Sequence, residues 1–332
     1  MASLTVLFLI LSVVTSSYGA AIRYTGANQY DETLARRMLD MSAAAYSQSP
    51  QNCFNQTFPV GQTWQVRNDF NTRCDFIKDF CSAFIAVSDD QREIVIAFRG
   101  TNTNGQLLLE GLESLAPEIL FNNMGHVMKY FYDGFLKVWP EISEALTTND
   151  NNYNVIFTGH SLGGALASLA AAQTVAQGYR LSEQVKLITF GQPRVGDHSY
   201  AMAHDRYVPY SYRVVHKADL VPHLPSCSEI NNECANKDSA PYHHGTEVWY
   251  TDGMAPDAHY ELCTDGPTDE DRYCSNDMAD KDYSITDHLH YFEHMVSHYG
   301  ENGCVDGAIV SCACSFSLVL FCLILLVSYR NE

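Results

Sequence analysis

The sequence predicts an α/β fold, with a mainly parallel central sheet flanked by helices and a sharp strand-to-helix turn at its functional edge. Short runs rich in β-branched and aromatic residues recur at Glu93 to Phe98, Val155 to Phe157, Val185 to Phe190 and Tyr212 to Val215, as in strands covered on both faces. Each run stops at a turn or loop signal: Arg99-Gly100, Thr158-Gly159, Gly191-Gln192-Pro193 and the stretch from His216 to Pro225. Helical segments alternate with these strands, a pattern that implies right-handed crossovers and a parallel sheet. A chain of 332 residues supports one large core of this kind.

The first residues are apolar and are followed by Ser17, Gly19 and Ala20, so residues 1–19 read as a secretory signal peptide cut after Gly19. From Tyr30 to Tyr46, Leu34, Met38, Met41 and Ala45 recur at helical spacing with Arg36, Arg37 and Asp40 between them, which predicts an amphipathic helix laid over a sheet. The alanine-rich stretch from Ala165 to Ala176 has high helix propensity. Between Ser226 and Asp282 the chain is rich in Asn, Asp, Gly and Cys and reads as an irregular, disulfide-tied excursion. The folded domain is expected over 20–305. Residues 308–327 are apolar, uncharged and long enough to span a bilayer, with Arg330 in a short tail, 328–332. A single-pass anchor is the leading reading of that run. A cleaved glycolipid-anchor signal and a buried helix are the alternatives.

With 20 Lys and Arg against 39 Asp and Glu the formal charge is −19, which excludes nucleic acid and strongly anionic membranes as natural partners. Eight of the eleven cysteines lie between the two apolar ends: Cys53, Cys74, Cys81, Cys227, Cys234, Cys263, Cys274 and Cys304. In a secretory compartment that even number argues for four disulfides, and no CxxC pair among them suggests zinc. The short loops favour Cys74–Cys81, Cys227–Cys234 and Cys263–Cys274. Asn55-Gln56-Thr57 is a glycosylation sequon that a secreted chain can use.

The chemistry concentrates at Gly159-His160-Ser161-Leu162-Gly163, a G-x-S-x-G motif placed between a strand and a helix. Such a nucleophile elbow strains the serine backbone, and side chains two residues before and after would collide with neighbouring backbone, so Gly159 and Gly163 are required there. An ordinary glycine turn with a surface serine is the bland alternative, and the flanking strand and helix disfavour it. Ser161 then needs a base and a carboxylate, in the order Ser, acid, His. Asp219 follows a later strand, and so does its rival Asp197. From the residues alone the base stays open among His223, His243, His244, His259, His288, His290, His294 and His298.

Six segments, in chain order, resemble the class 3, fungal-type lipases: Ile96 to Thr101 (IAFRGT), Tyr132 to Phe135 (YDGF), Thr158 to Ala165 (TGHSLGGA), Thr189 to Gly196 (TFGQPRVG), Asp219 to Pro225 (DLVPHLP) and Asp287 to Phe292 (DHLHYF). The resemblance implies an α/β-hydrolase-like fold and a triad of Ser161, Asp219 and His288. It also implies an oxyanion hole from Leu162 and Thr101, and a tie between the two ends of the domain that suggests Cys53–Cys304. The implied activity is hydrolysis of lipid esters, with acylglycerols favoured, through an acyl-enzyme. No metal or other cofactor is needed, and a membrane or lipid-particle surface is the expected place of work. A catalytically silent lipid-binding surface protein, or a phospholipase, acyltransferase or other esterase using the same triad, are the alternatives.

Fungal relatives often carry a tryptophan-bearing lid after F-R-G-x. Here the chain continues Asn102 to Leu112 without tryptophan, and Leu107, Leu108, Leu109 and Leu112 supply the apolar face of either a lid or a static cover. His290, His294 and His298 are spaced to line one helical face, either as metal ligands or as a polar surface. Tyr242, Trp249 and Tyr250 read as packing.

Overall fold

The computed structural model describes residues 29–73, 80–101, 111–147, 152–230, 233–235, 237, 239–264 and 269–305. At its centre is an eight-stranded sheet whose spatial order follows the chain order. Strands β1 (Gln65–Arg73), β2 (Phe80–Ser88) and β3 (Glu93–Phe98) form an antiparallel meander. From β3 the sheet is parallel through β4 (Asn154–His160), β5 (Val185–Phe190), β6 (Tyr210–His216) and β7 (Thr246–Tyr250). A two-residue antiparallel strand, β8 (Glu261–Leu262), closes the edge.

The strand alternation has period two, and both faces are covered. Ile94, Ile96, Phe98, Val155 and Phe157 face one apolar core, shared with α3 (Lys129–Leu146) and α4 (Leu162–Ala176). Val95, Ala97 and Ile156 face the other, beneath α1 (Glu32–Ala44). Asp31 caps α1, its carboxylate accepting from the Leu34 N–H at 3.1 Å, and the buried stripe of that helix runs through Ala35, Met38, Leu39 and Met41. Helix α4 is buried almost all round, and for that reason it is built of Ala, Leu and Gly rather than an amphipathic pattern.

Three departures from the sequence reading have physical causes. Strands β1 and β2 went unread because β1 is mostly polar and β2 is broken by small residues. The excursion from Ser226 to Asp282 contains two strands of the main sheet, β7 and β8, whose five and two residues are too few for a periodic signal. The third concerns the histidines. His290–Tyr291 and His294–Met295 pair as a hairpin, turned by positive φ at Phe292 and Glu293, and only His298 lies on the short helix α7 (Val296–Glu301). His290, His294 and His298 therefore share no helical face, and the spacing that suggested a metal is undone by the turn.

Two buried ion pairs tie the excursion to the rest of the domain: Arg194, in the loop after β5, to Glu270 at 2.7 Å, and Arg213, on β6, to Glu247 at 3.4 Å. Disulfides join Cys227 to Cys234, Cys263 to Cys274 and Cys53 to Cys304. Cys81 is also disulfide-bonded, while Cys74 lies outside the described residues. So do the expected signal 1–19, the tract 102–110 with Leu107, Leu108 and Leu109, the apolar run 308–327 and the tail 328–332. Leu112 is buried. Asn55 is exposed on α2 (Pro50–Thr57). Among the described residues no helix is long and apolar enough to cross a membrane.

Cys53 and Cys304 are 251 residues apart, so their bond restricts most of the unfolded chain. Replacing both by alanine is expected to lower the unfolding free energy by about 3–5 kcal/mol, read from denaturant titration. A change below about 1 kcal/mol would contradict this account.

Candidate active site

The carboxyl ends of β4, β5 and β6 converge, the position at which open α/β sheets gather ligands. Ser161 follows β4 directly and begins the turn into α4, with φ 58° and ψ −129°. Few residues adopt that conformation, which costs about 1–3 kcal/mol. It is held by hydrogen bonds from Ser161 N–H to the Phe190 carbonyl and from Gly164 N–H to the Ser161 carbonyl, both 2.9 Å. The glycines matter sterically. A Cβ on Gly159 would lie 2.3 Å from the Gly163 carbonyl, and one on Gly163 would lie 2.2 Å from the Phe98 carbonyl oxygen.

His288 sits on α6 (Ile285–Leu289), capped by Ser284, whose hydroxyl accepts from the Asp287 N–H. The helix is bound to the loop after β6 by Ser284 N–H to the Ala218 carbonyl (2.7 Å) and Ala218 N–H to Asp287 Oδ2 (3.3 Å). This brings His288 Nε2 to 2.9 Å from Ser161 Oγ and His288 Nδ1 to 3.0 Å from both oxygens of Asp219. Ser161, His288 and Asp219 are respectively 2 %, 1 % and 0 % exposed, so the chain of hydrogen bonds lies out of bulk water.

Asp219 accepts two more hydrogen bonds, from the Val221 N–H at 2.8 Å and the Tyr291 hydroxyl at 2.5 Å. Burial works to raise its pKa, but His288 and these donors outweigh it and hold the carboxyl below its ordinary range. Burial, with the Asp219 charge beside it, pushes the Tyr291 hydroxyl far above its usual value, so it remains a donor. Arg194 steadies the same loop, donating to the carbonyls of His223 (2.6 Å) and Pro225 (3.1 Å). Leu162 is the first residue of α4, so its N–H has no intrahelical acceptor. The buried Thr101 Oγ1 has no hydrogen-bond partner among the described residues.

The rival acid is elsewhere. Asp197 caps α5 (His198–Tyr207) and accepts from Tyr200 N–H and His126. Three other candidate bases are likewise occupied away from Ser161: His223 stacks on Tyr283, His243 reaches the Pro222 carbonyl and His244 reaches Ser168. The sequence reading did not single out Gly191, Tyr291 or His160. Gly191, at φ +56°, passes so close that a Cβ would meet Asp219 Oδ2 at 2.6 Å and His288 Nδ1 at 2.7 Å. Each lies inside a quoted motif, which was the available signal. A cavity of about 440 Å³ adjoins the Asp219 loop, lined by Leu220, His223, Leu224, Asn276 and Tyr283 among others, and its lining does not include Ser161.

This fold and site define an α/β-hydrolase. The model of the family "Lipase (class 3)" matches residues 95–229. A lipase of Caenorhabditis elegans is 41 % identical over 293 residues, 83 % of each chain. A secreted mono- and diacylglycerol lipase of Fusarium solani is 30 % identical over 151 residues, 43 % of this chain and 42 % of that one. The crystal structure of a lipase from Rhizopus microsporus var. chinensis superposes with a TM-score of 0.64 and 26 % identity, covering 82 % of this chain and 88 % of the other. The chain belongs to the class 3 lipase family, and it is a serine carboxylic-ester hydrolase acting on lipid esters.

Several histidines around the site are buried in neutral form. Burial above all pushes His160 down to about 3 and His223 down to about 4, and takes His243 and His244 well below 6.5. In the unfolded chain each binds a proton near 6.5, so below that pH the unfolded state takes up more protons and gains stability. Folding stability is therefore expected to be greatest above pH 6.5 and to fall by about 1.4 kcal/mol per pH unit for each such histidine as pH drops towards 4. Thermal melts across that range check this. A flat melting temperature would contradict it.

Proposed function

We propose that Ser161 is the nucleophile, His288 the general base and acid, and Asp219 the orienting carboxylate in two-step hydrolysis of acylglycerols. The observation that carries the reading is the unbroken buried chain Ser161 Oγ, His288 Nε2, His288 Nδ1, Asp219. As Ser161 Oγ bonds to the ester carbonyl carbon, its proton passes to His288 Nε2. The imidazolium is stabilised by ionised Asp219, and the carbonyl oxygen becomes an oxyanion. Leu162 N–H and Thr101, through N–H and hydroxyl, are the donors assigned to that charge, and the N-terminus of α4 adds its dipole. Collapse expels the alcohol, which takes the proton from His288 Nε2. Water, deprotonated at the same nitrogen, then attacks the acyl-enzyme and releases the fatty acid. As that second intermediate collapses, His288 Nε2 gives the water-derived proton to Ser161 Oγ, so the enzyme is restored while the original Ser161 proton has left with the alcohol, and no step calls for a metal.

Acylglycerols are favoured because the Fusarium solani relative bears the name of a mono- and diacylglycerol lipase and because a neutral lipid suits a protein of charge −19. The full chain is expected to release fatty acid from emulsified di- and triacylglycerol faster than from phospholipid vesicles. Ser161→Ala is expected to lower kcat by at least about 10⁴-fold while the protein stays folded. Absence of acylglycerol hydrolysis by folded wild type would overturn the substrate reading, and retained activity in Ser161→Ala would overturn the triad.

The segment 308–327 supports a further part of the same reading, that the secreted domain is held at a membrane by a C-terminal spanning helix. A tag placed after Glu332 is expected to stay with the membrane pellet after alkaline carbonate extraction. Release of a still-tagged protein would contradict anchoring, and loss of the tag with release by phosphatidylinositol-specific phospholipase would replace the helix by a glycolipid.

A further inference from the structure

His160 is the last residue of β4 and the immediate neighbour of the nucleophile, yet it has no part in the proton transfers described above. It is buried, and its ring stacks on that of His288 with centroids 4.6 Å apart and planes inclined at 28°. Its Nε2 lies 2.8 Å from the main-chain carbonyl oxygen of His288, and its Nδ1 lies 3.2 Å from the Tyr46 hydroxyl. A carbonyl oxygen only accepts, so Nε2 carries the hydrogen. Burial first, and then the charge His288 carries when protonated, push the ring down to about 3, so it is neutral at working pH with a bare Nδ1 that accepts from Tyr46.

The partner of that Nε2–H is significant. Helix α6 has five residues, and the His288 carbonyl is among the last four, which have no acceptor role inside the helix. A short helix carrying a catalytic base on its last turn is poorly fixed by its own hydrogen bonds. The donor that satisfies this carbonyl comes from the residue covalently joined to Ser161.

We propose that His160 is a positioning residue for acyl transfer: its Nε2–H holds the backbone of His288, so that nucleophile and base are registered to each other through residue 160 as well as through their own hydrogen bond. This rests on the triad reading above. Because the His160 ring is neutral, it holds this place without an electrostatic penalty when His288 takes up the Ser161 proton. The Tyr46 hydroxyl, just beyond α1, donates to the bare Nδ1 of His160 and so extends the registration to the helix covering the other face of the sheet.

Three substitutions separate this role from simple filling of space. In His160→Gln the amide nitrogen stands where Nε2 stood and still donates to the carbonyl. In His160→Asn it stands nearer the place of Nδ1, and in His160→Phe the ring remains but the donor is gone. His160→Asn and His160→Phe are each expected to lower kcat by about 10- to 100-fold with KM changed less than about twofold, as loss of alignment does, while His160→Gln stays within about fivefold of wild type. The rate at which a fluorophosphonate labels Ser161 should follow the same order. Circular dichroism and thermal melts establish that each variant is folded, and if His160→Phe is not, the comparison of Gln with Asn carries the test. His160→Phe equal to or better than His160→Gln, or Gln and Asn variants equally active, would overturn the proposal. Wild type that fails to react with the probe would instead overturn the triad reading itself.

Discussion

The backbone of Ser161 is held in a conformation that few L-residues adopt, and most of the architecture around it exists to keep it there. The turn closes only because Gly159 and Gly163 can touch, and because Gly163 can pass 2.2 Å, measured from an added Cβ, from the Phe98 carbonyl of the neighbouring strand. Local propensity does not supply the cost of about 1–3 kcal/mol for such a backbone. It is offset by the parallel strands β3, β4 and β5, which are buried on both faces, and by α4, which is buried around nearly its whole circumference. The strain sets the serine at the carboxyl end of an interior strand, at the start of a helix whose first N–H groups lie beside it. Geometry useful for chemistry and geometry costly for folding are here the same geometry.

A second constraint is the charge on Asp219. A carboxylate with no exposed surface is tolerated only when its oxygens are fully engaged, and its partners come from three parts of the chain: Val221 from its own loop, His288 from α6 and Tyr291 from the hairpin that follows. The site therefore cannot assemble in pieces. The loop after β6 needs Arg194, whose guanidinium is itself buried against Glu270 in the excursion between Ser226 and Asp282. A region that contributes nothing to the proton transfers thus supports the acid, because removing one partner of a buried pair leaves a charge without compensation.

The parallel strands were legible because their apolar runs are continuous, and the elbow because its two glycines and serine admit few other structures. Asp219 and His288 were not separable from Asp197 and the other histidines by pattern alone. Burial and loop closure decide between them, and these are properties of the assembled chain. Only the family motifs pointed to the pair that the structure brings together. His160 and Tyr291 escaped notice for the same reason, since a buried histidine and a buried tyrosine look like core until their partners are seen. The run His290, His294 and His298 misled because equal spacing implies one face only where the helix is unbroken, and the turn at Phe292 and Glu293 breaks it. Strand β7 was hidden by its shortness and by the polar sequence on either side.

The central claim is that Ser161 is the nucleophile that becomes acylated, and the most direct measurement is the site of covalent modification. The full chain is treated with a fluorophosphonate, digested, and mapped by tandem mass spectrometry. The account predicts a single adduct on the peptide containing Gly159 to Gly163, located at Ser161, and none in a sample whose protein was first unfolded. An adduct at another residue, or a folded protein that takes up no probe, would contradict it.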